Sequence, residues 1–253
     1  WTLNGASEWE NSSSTPITGT RSLKHYDDDT EETDYIYHAL GGTLGSGETV
    51  WRFNLKNGGY DPSGNNSFWF YLTANNTTLS GSAVDGYAVG VNLTGTDDYL
   101  KLWRVTDGAA AATVVASTFD WNTNTLAGIE VRRSAAGEWT LKYDGDGGVD
   151  NLTTVGSASD TTYTDTSYAG LVFKHTASYA GLLRLDDLTV EQGGSTPDFV
   201  AGYSNRLVGA GTSVSVTGLT EATAYYFRLT AEGGTCTSGY SPTGMVNTGS
   251  SVL

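Results

Sequence analysis

Residues 49–55 read Thr-Val-Trp-Arg-Phe-Asn-Leu, a run in which apolar and polar side chains alternate. Successive side chains of an extended chain point to opposite faces, so Trp51, Phe53 and Leu55 share one face. Arg52 and Asn54 lie on the other. This alternation predicts a β-strand that buries one face in a core and leaves the other face largely polar.

Similar runs recur along the chain, and turn residues bound each of them. Besides residues 49–55, strands are predicted at Asp34–Ala39, Ser67–Ala74, Gly86–Leu93, Tyr99–Thr106, Thr113–Thr118, Thr125–Arg133, Trp139–Tyr143, Ser167–His175 and Gly181–Glu191. About ten strands at this spacing predict an all-β fold, a two-sheet jelly-roll sandwich.

Two of the runs depart from simple alternation. Ser67–Ala74 is apolar on both faces, which indicates either a central strand covered on both sides or a strand with an exposed aromatic face. Ala109–Ala112 follows Asp107-Gly108, so we expect a hairpin tip or a loop there.

The last long run contains a change of phase. Leu183 and Leu185 share one face, whereas Leu188 has the opposite parity. A β-bulge at Asp186 and Asp187 would restore the phase and turn a carboxylate toward a local site. We therefore predict a bulge at these two residues.

The composition restricts the partners. The formal net charge is −15, which repels nucleic acid phosphates and anionic lipids, so we expect neither as a partner. No run approaches the ~20 apolar residues of a membrane span, so we expect no membrane insertion. The acidic composition, rich in glycine, threonine and asparagine, is typical of an extracellular or cell-surface protein.

Cys236 is the only cysteine, which excludes an intrachain disulfide. The only histidines are His25, His38 and His175. These four residues give little reason to expect a cysteine nucleophile or a zinc site.

The composition changes after Glu191, where residues 193–197 read Gly-Gly-Ser-Thr-Pro. Such a stretch is typical of a linker. We predict a jelly-roll domain over residues 1–192, a linker over 193–197 and a second, smaller unit over 198–253.

The first unit resembles the concanavalin A-like, laminin G-like jelly-roll modules of secreted Bacteroidetes proteins. The likeness is carried by Thr18–Lys24, Asp85–Val91, Leu100–Val105, Gly137–Leu141 and Leu185–Val190. The resemblance implies a bacterial, extracellular sandwich, but it specifies the ligand poorly, because such modules include glycan binders, adhesion modules and enzymes.

The second unit resembles the C-terminal part of a fibronectin type III domain, on the segments Thr212–Thr220 and Ala224–Glu232. A complete domain needs about 100 residues and seven strands, so this one is incomplete. Strands of the first unit, strands of another chain by β-augmentation, or the rest of a larger protein could complete it. The residues expected at such an assembly surface are Val214, Val216, Tyr225, Phe227 and Leu229.

Catalytic patterns are absent from the sequence. Glycosidases need two carboxylates held about 5 Å apart, and residues 8–10 and 31–34 do not have a suitable spacing. The sequence contains no Gly-x-Ser-x-Gly elbow and no phosphate-binding loop. We therefore predict a protein that is not an enzyme, with a hydrolase or lyase as the least supported alternative.

Calcium is the metal that the sequence favours, because clustered carboxylates supply the oxygen ligands it prefers. Asp186 and Asp187 with Glu8 or Glu10 resemble the structural calcium site of carbohydrate-binding jelly rolls, although a bulge with solvated carboxylates explains the same residues. A second candidate is the acidic loop with Asp144, Asp146 and Asp150, for which a hairpin turn is the alternative.

An aromatic floor flanked by polar groups is the usual requirement for sugar binding. Trp69 and Tyr71 could form this floor beside the small or polar residues Ala88, Gly90 and Asn92. Further candidate ligand-binding residues are Arg52, Asn54 and Trp103. Filling of the core is the alternative for each tryptophan.

Two functions follow from these observations. The first is a non-catalytic extracellular module that binds a polysaccharide or surface glycan or mediates adhesion. The second is a structural subunit of an extracellular fibre, a homopolymer in which a neighbouring chain completes the C-terminal unit.

Overall fold

The structure is a computed structural model. It describes residues 1–3, 8–26, 31–41 and 43–193, and in the C-terminal part residues 200, 207–209, 213–221, 223–227, 229, 231–233, 236–237 and 244–249. The chain divides into two compact units, Trp1–Thr196 and Pro197–Leu253.

The first unit is built from strands and one short 3₁₀ helix, Ala177–Tyr179. The strands are β1 (Thr2–Leu3), β2 (Trp9–Ser12), β3 (Ser22–His25), β4 (Glu32–Ala39), β5 (Thr49–Lys56), β6 (Ser67–Ala74), β7 (Gly86–Val91), β8 (Tyr99–Thr106), β9 (Ala109–Asp120), β10 (Leu126–Arg133), β11 (Glu138–Asp144), β12 (Thr153–Ser159), β13 (Tyr168–His175) and β14 (Arg184–Gln192). Among the described residues, no helix is long and apolar enough to cross a bilayer.

These strands form two antiparallel sheets of seven strands each. Sheet 1 has the order β1-β4-β13-β6-β7-β8-β9, and sheet 2 has the order β12-β11-β10-β5-β14-β3-β2. The predicted all-β, two-sheet sandwich is confirmed. Four of its strands, β1, β2, β3 and β12, lie outside the segments that alternation predicts.

The core lies between the two sheets. Trp51, Phe53 and Leu55 of β5 are buried there, as their alternation predicts. The Trp51 ring stacks on Trp139 with centroids 5.7 Å apart, and Phe53 contacts Phe70 of the facing sheet at 4.7 Å. Large aromatic side chains from both sheets therefore hold the sandwich together by burying apolar surface.

Strand β6 is central, with β13 on one side and β7 on the other, and all eight of its residues are buried. Its inner face joins the main core. Its outer face packs into a second apolar cluster with Val172 and Ala88 of the neighbouring strands and with Leu79 and Val84 of the segment that joins β6 to β7. Of the two possibilities left open for this strand, the structure shows the covered one.

The predicted bulge in β14 is confirmed. The register of β14 against β5 shifts between Asp186 and Thr189, and Asp187 has a φ of +51°. The bulge lets Leu185 contribute to the core while Leu188, of opposite parity, also packs against it.

A hairpin is present at Ala109–Ala112, as one of the two predictions had it, but these residues lie in its second strand and not in the tip or a loop. The turn consists of Asp107 and Gly108 alone, with φ values of +52° and +73°, and Ala109 already pairs with Thr106 at the start of β9. A two-residue turn with both residues at positive φ matches the twist of a hairpin. The hairpin register therefore outweighs the low strand propensity of alanine.

In the second unit, β15 (Ala224–Phe227) pairs with β18 (Gly244–Asn247), and β16 (Glu232–Gly233) pairs with β17 (Cys236–Thr237). The fibronectin-like expectation of a strand at 212–217 does not hold for its described part, because residues 213–217 do not lie in a β-strand. Thr212 lies outside the described residues. The described part of this unit therefore consists of two small two-stranded sheets.

Candidate functional site

The predicted aromatic floor, Trp69 and Tyr71, lies on the expected pair of neighbouring strands, but its two rings are buried. Trp69 pairs with Gly90 and Tyr71 with Ala88, so β6 and β7 are neighbours. However, Trp69 is only 8% exposed and Tyr71 only 1% exposed. Burial also raises the pKa of the Tyr71 hydroxyl. These rings are therefore buried and do not form an exposed floor.

The other two candidates on sheet 1 are also withdrawn from solvent. Trp103 of β8 is fully buried. Asn92, which follows β7 and has a φ of +55°, donates from Nδ2 to a carboxylate oxygen of Asp98 and accepts from the Asp98 backbone N–H at 3.1 Å. The side-chain amide of Asn92 therefore uses both its nitrogen and its oxygen to hold the turn that contains Asp98.

Three partly exposed tyrosines lie on the same outer face of sheet 1 as the buried Trp69 and Tyr71. Tyr35 and Tyr37 of β4 and Tyr168 of β13 pack against the second apolar cluster on the outer side of sheet 1. The Tyr37 ring meets Tyr168 edge-on at 5.7 Å, and Tyr35 lies 6.5 Å from Tyr37. We call these three residues the tyrosine face.

The register explains why the tyrosine face is continuous with the buried rings. Across the sheet, Tyr35 pairs with Val172, which in turn pairs with Trp69. Tyr37 pairs with Gly170, and a Cβ at Gly170 would lie 2.5 Å from a methyl group of Leu79. Glycine at this position therefore lets the segment that contains Leu79 pack onto the sheet beside the tyrosines.

Sequence reasoning missed the tyrosine face, although it placed its strands. The alternation of β4 sets Tyr35 and Tyr37 opposite the core residue Ile36, and this parity was visible in the sequence. What the sequence did not show is that Tyr168 of β13 lies beside them, since this depends on the strand order.

Arg52 and Asn54 lie on sheet 2, not on sheet 1. Arg52 forms ion pairs with Glu130 at 2.7 Å and with Glu191 at 3.1 Å. Asn54 is buried, donates to Asp187 Oδ2 at 3.0 Å and accepts from the backbone N–H of Gly148 at 2.7 Å. The structure therefore does not bring them together with Trp69 and Tyr71.

The carboxylates of the bulge accept hydrogen bonds from neutral donors. Asp186 Oδ2 accepts from the backbone N–H of Thr18 at 3.0 Å and from the hydroxyl of Ser22 at 2.8 Å. Asp187 Oδ2 accepts from the Thr18 hydroxyl at 2.8 Å. These contacts attach the segment before β3 to the bulge of β14.

The glutamates predicted to join the bulge lie elsewhere. Glu10 forms an ion pair with Lys24 at 3.6 Å. Glu8 has carboxylate oxygens within 4.8 Å of those of Glu32 and Asp34, and no described group of three metal-ligating side chains at that spacing includes Asp186 or Asp187. Among the described residues, the two aspartates therefore form no such group with either glutamate.

The second predicted calcium loop is a turn. Asp144 ends β11 and is buried; its Oδ1 accepts from the backbone N–H of Asp146 at 3.2 Å and its Oδ2 from that of Asn151 at 3.0 Å. Asp150 lies in the same turn without joining a described metal-ligating group. The hairpin-turn alternative accounts for these contacts.

A group that the sequence did not suggest is buried between the two sheets. His25, Asp34 and His175 place one ligand atom each within 4.8 Å of the other two. Burial would raise the pKa of Asp34, but hydrogen bonds from His175 and His25 outweigh it and lower that pKa. The sequence offered little reason to expect a metal site at the histidines, yet two of the three lie in a group whose ligand atoms are close enough to hold an ion.

The predicted assembly residues are mostly exposed. Val214, Val216, Phe227 and Leu229 are all exposed, and Phe227 retains 55% of its surface. Tyr225 is partly buried, and its hydroxyl accepts from the backbone N–H of Thr220 at 2.6 Å. Apart from Tyr225, these residues present apolar surface to solvent.

Comparison with known proteins identifies the fold but not a sequence family. No family model matches the chain, and no curated protein matches it. The carbohydrate recognition domain of Emp47p superposes with a TM-score of 0.52 at 9% identity, covering 74% of this chain and 89% of that domain.

Two further solved structures are similar to the same extent. The lumenal domain of VIP36 in its Ca²⁺- and Man3GlcNAc-bound form has a TM-score of 0.52 at 13% identity, over 72% of this chain and 86% of that one. A protein of unknown function from Shewanella oneidensis MR-1 has a TM-score of 0.51 at 14% identity, over 75% of each chain. The sandwich of this chain therefore has the legume-lectin, concanavalin A-like jelly-roll fold.

Proposed function

We propose that this chain is a non-catalytic, extracellular module of bacterial origin that binds a neutral glycan on the tyrosine face. The observation that carries the proposal is the cluster of three partly exposed tyrosines on one face of a lectin-like sandwich. Support comes from two structurally similar proteins, one named as a carbohydrate recognition domain and one crystallised with Man3GlcNAc.

The chemistry of the tyrosine face suits a sugar ring. A tyrosine offers a flat apolar face for the C–H side of a pyranose and a hydroxyl that exchanges hydrogen bonds with sugar hydroxyls. The tyrosines pack against the apolar cluster that contains the buried Trp69 and Tyr71, so that binding requires little ordering of the protein.

The charge of the chain selects among glycans. With a net charge of −15, the protein repels polysaccharides that carry carboxylate or sulfate groups. Neutral hexose polymers escape this repulsion. The proposed ligand class is therefore a neutral polysaccharide or a neutral surface glycan.

A glycan array and affinity electrophoresis on neutral polysaccharides test the proposal. Replacing Tyr37, which contacts both other members of the tyrosine face, by alanine is expected to weaken binding about tenfold, the equivalent of 1.4 kcal/mol. Tyr26→Ala is the matched control, because Tyr26 is an exposed tyrosine that does not belong to the face. Failure to bind any neutral glycan, or equal losses in both variants, would contradict the proposal.

The proposed glycan binding on the tyrosine face does not involve a calcium ion. A calcium ion takes six to eight oxygen ligands, and Asp186 and Asp187 have no third described carboxylate within 4.8 Å of both. We include a chelator arm in the glycan assay to test the structural calcium ion predicted from the sequence. When Ca²⁺ alone is added back to the chelated chain, unchanged glycan binding and an unchanged Tm are the expected results.

The exposed apolar residues of the second unit favour homopolymerisation as a second candidate function. Leu207, Tyr226, Phe227, Leu229 and Met245 each expose more than half of their surface. Apolar patches and sheet edges of this kind promote association.

Electron microscopy and size-exclusion chromatography of the whole chain test this candidate. Phe227→Glu is expected to dissolve the assemblies, whereas Val149→Glu, on an exposed valine of the first unit, is expected to leave them intact. Dispersed monomers at high concentration of the unmodified chain would refute assembly.

A further inference from the structure

Three ionisable side chains from three strands meet between the two sheets. His25 is the last residue of β3 in sheet 2, and His175 is the last residue of β13 in sheet 1. Asp34 lies in β4, adjacent to β13. The group therefore spans the sandwich from one sheet to the other.

One oxygen of Asp34 contacts both imidazoles. His175 Nε2 lies 2.8 Å from Asp34 Oδ2, and His25 Nε2 lies 3.2 Å from the same atom. Tetrahedral zinc sites have bonds of about 2.0–2.2 Å, so neighbouring ligand atoms are about 3.3 Å apart. The two nitrogen–oxygen separations are thus close to those of a tetrahedral site, and all three ligand atoms lie within 4.8 Å of one another.

The surroundings of the group are apolar. The His25 ring meets Trp9 edge-on at 4.9 Å, and Phe173 lies 5.1 Å from His25 and 4.8 Å from His175. All three ionisable residues are buried. Buried ionic groups often stabilise a fold less than apolar residues of the same volume, so their presence in an aromatic core points to a ligand.

Two further carboxylates adjoin the group on the side of Asp34. Carboxylate oxygens of Glu8 and Glu32 lie within 4.8 Å of those of Asp34, and Glu32 pairs with His175 in the ladder between β4 and β13. Carboxylates this close repel one another, and a divalent cation bound beside them would reduce that repulsion. Such an ion could take a fourth ligand from Glu8 or Glu32.

We propose that His25, Asp34 and His175 bind a divalent transition-metal ion of the zinc class, with a carboxylate of Glu8 or Glu32 as the fourth ligand. Imidazole nitrogens select zinc, copper, iron or nickel, whereas calcium and magnesium require oxygen ligands. The ion links sheet 1 to sheet 2 near the strand β2. The site is separate from the tyrosine face and does not depend on glycan binding.

The Nδ1 atoms of the two histidines indicate how tightly the proposed site should bind its metal ion. Nδ1 of His25 and Nδ1 of His175 are buried and have no hydrogen-bond partner. Metal-binding histidines normally donate this second N–H, and loss of such a contact weakens binding about 10–100-fold. The proposed site is therefore weaker than a fully supported one, and titrations should extend well above the protein concentration.

Calorimetric titration of the metal-free chain with Zn²⁺ and with Ca²⁺ tests the proposal. One Zn²⁺ per chain, with a raised Tm, and no Ca²⁺ at this site are the expected results. Co²⁺ in place of Zn²⁺ should give the intense visible absorption bands of a tetrahedral ion. Absence of Zn²⁺ binding would overturn the proposal.

Matched variants locate the ion. His175→Gln and Asp34→Asn are expected to weaken Zn²⁺ binding by more than about 100-fold, whereas His38→Gln is expected to leave it unchanged, because the exposed His38 belongs to neither group. Equal binding by His175→Gln and the unmodified chain would refute the assignment. If the variants do not fold, X-ray absorption of the zinc-loaded unmodified chain decides it: a first shell with two imidazoles supports the site, and a shell without them refutes it.

Discussion

Replacement of Glu130 by glutamine should destabilise the first unit by about 2 kcal/mol at neutral pH, because this carboxylate is shared by three cations. Glu130 is only 2% exposed, on the central part of sheet 2. Its carboxylate accepts from Arg52 Nε at 2.7 Å, from Arg132 Nε at 2.6 Å and from Lys142 Nζ at 3.0 Å.

The magnitude follows from the pKa of Glu130. Burial would raise this pKa, but the hydrogen bonds from Arg132, Arg52 and Lys142 outweigh it and lower the pKa from 4.5 to about 2. A difference of this size corresponds to about 3 kcal/mol. The three cations are partly exposed, so solvent screening reduces the figure to about 2 kcal/mol.

The sign of the pH dependence is fixed by the direction of the shift. Because the pKa of Glu130 is lower in the folded state than in the unfolded chain, its contribution is fully present above about pH 5 and is lost as the pH falls toward 2. The stability difference between the unmodified chain and Glu130→Gln should therefore shrink steadily over that range.

Urea unfolding followed by tryptophan fluorescence measures this difference without interference from the second unit, since all seven tryptophans lie in the first unit. The control is Glu191→Gln, because Glu191 is 64% exposed and contacts only Arg52 in the described network. We expect this control to lose less than about 0.5 kcal/mol. Equal losses in both variants, or a difference for Glu130→Gln that does not change with pH, would refute the reasoning.

The same urea assay checks three further variants. Tyr87→Phe removes the 2.6 Å hydrogen bond from the Tyr87 hydroxyl to Asp160; burial and the Asp160 carboxylate raise the pKa of this hydroxyl to about 12. The loss of this hydrogen bond should cost about 1–2 kcal/mol of stability. An unchanged urea midpoint would contradict this. Gly128→Ala places a Cβ 1.4 Å from the carbonyl oxygen of Gly148, so we expect no stable first unit; a normal unfolding transition would show that β10 can shift. Asp187→Ala should cost about 1–2 kcal/mol, because it puts alanine at a φ of +51° and removes two hydrogen bonds. Asp187→Asn should cost less than half as much. The reverse order of the two losses would be inconsistent with the strained bulge.

Local alternation was sufficient to predict ten of the fourteen described strands of the first unit, all except β1, β2, β3 and β12. Trp51, Phe53 and Leu55 lie in the core because one extended strand can bury only one set of alternate side chains. The bulge at Asp186 followed from parity in the same way. Ala109–Ala112 was misassigned because alanine has low strand propensity, and a tight hairpin turn outweighs that preference.

The functional surfaces depended on strand order, which alternation does not specify. The tyrosine face needs β13 beside β4, and these strands are separated by most of the first unit. Trp69 and Tyr71 were correctly predicted to lie on a strand next to β7. Their exposure, however, depends on packing against Leu79 and Val84, which lie in an irregular segment. Periodicity carries no information about how such a segment packs.

One signal in the sequence did point to the buried group of ionisable residues. His175 has the same parity as the core residue Phe173 in β13, Asp34 has the parity of Ile36 in β4, and His25 has that of Leu23 in β3. Each is thus an ionisable residue at a core-facing position at or near a strand end. A single residue of this kind is explained by a local hydrogen bond, but three on strands of both sheets must be satisfied by one another or by an ion. Both imidazoles converge through Nε2 on one oxygen of Asp34, so an ion at that point can contact all three side chains at once, which a pairwise hydrogen bond cannot do.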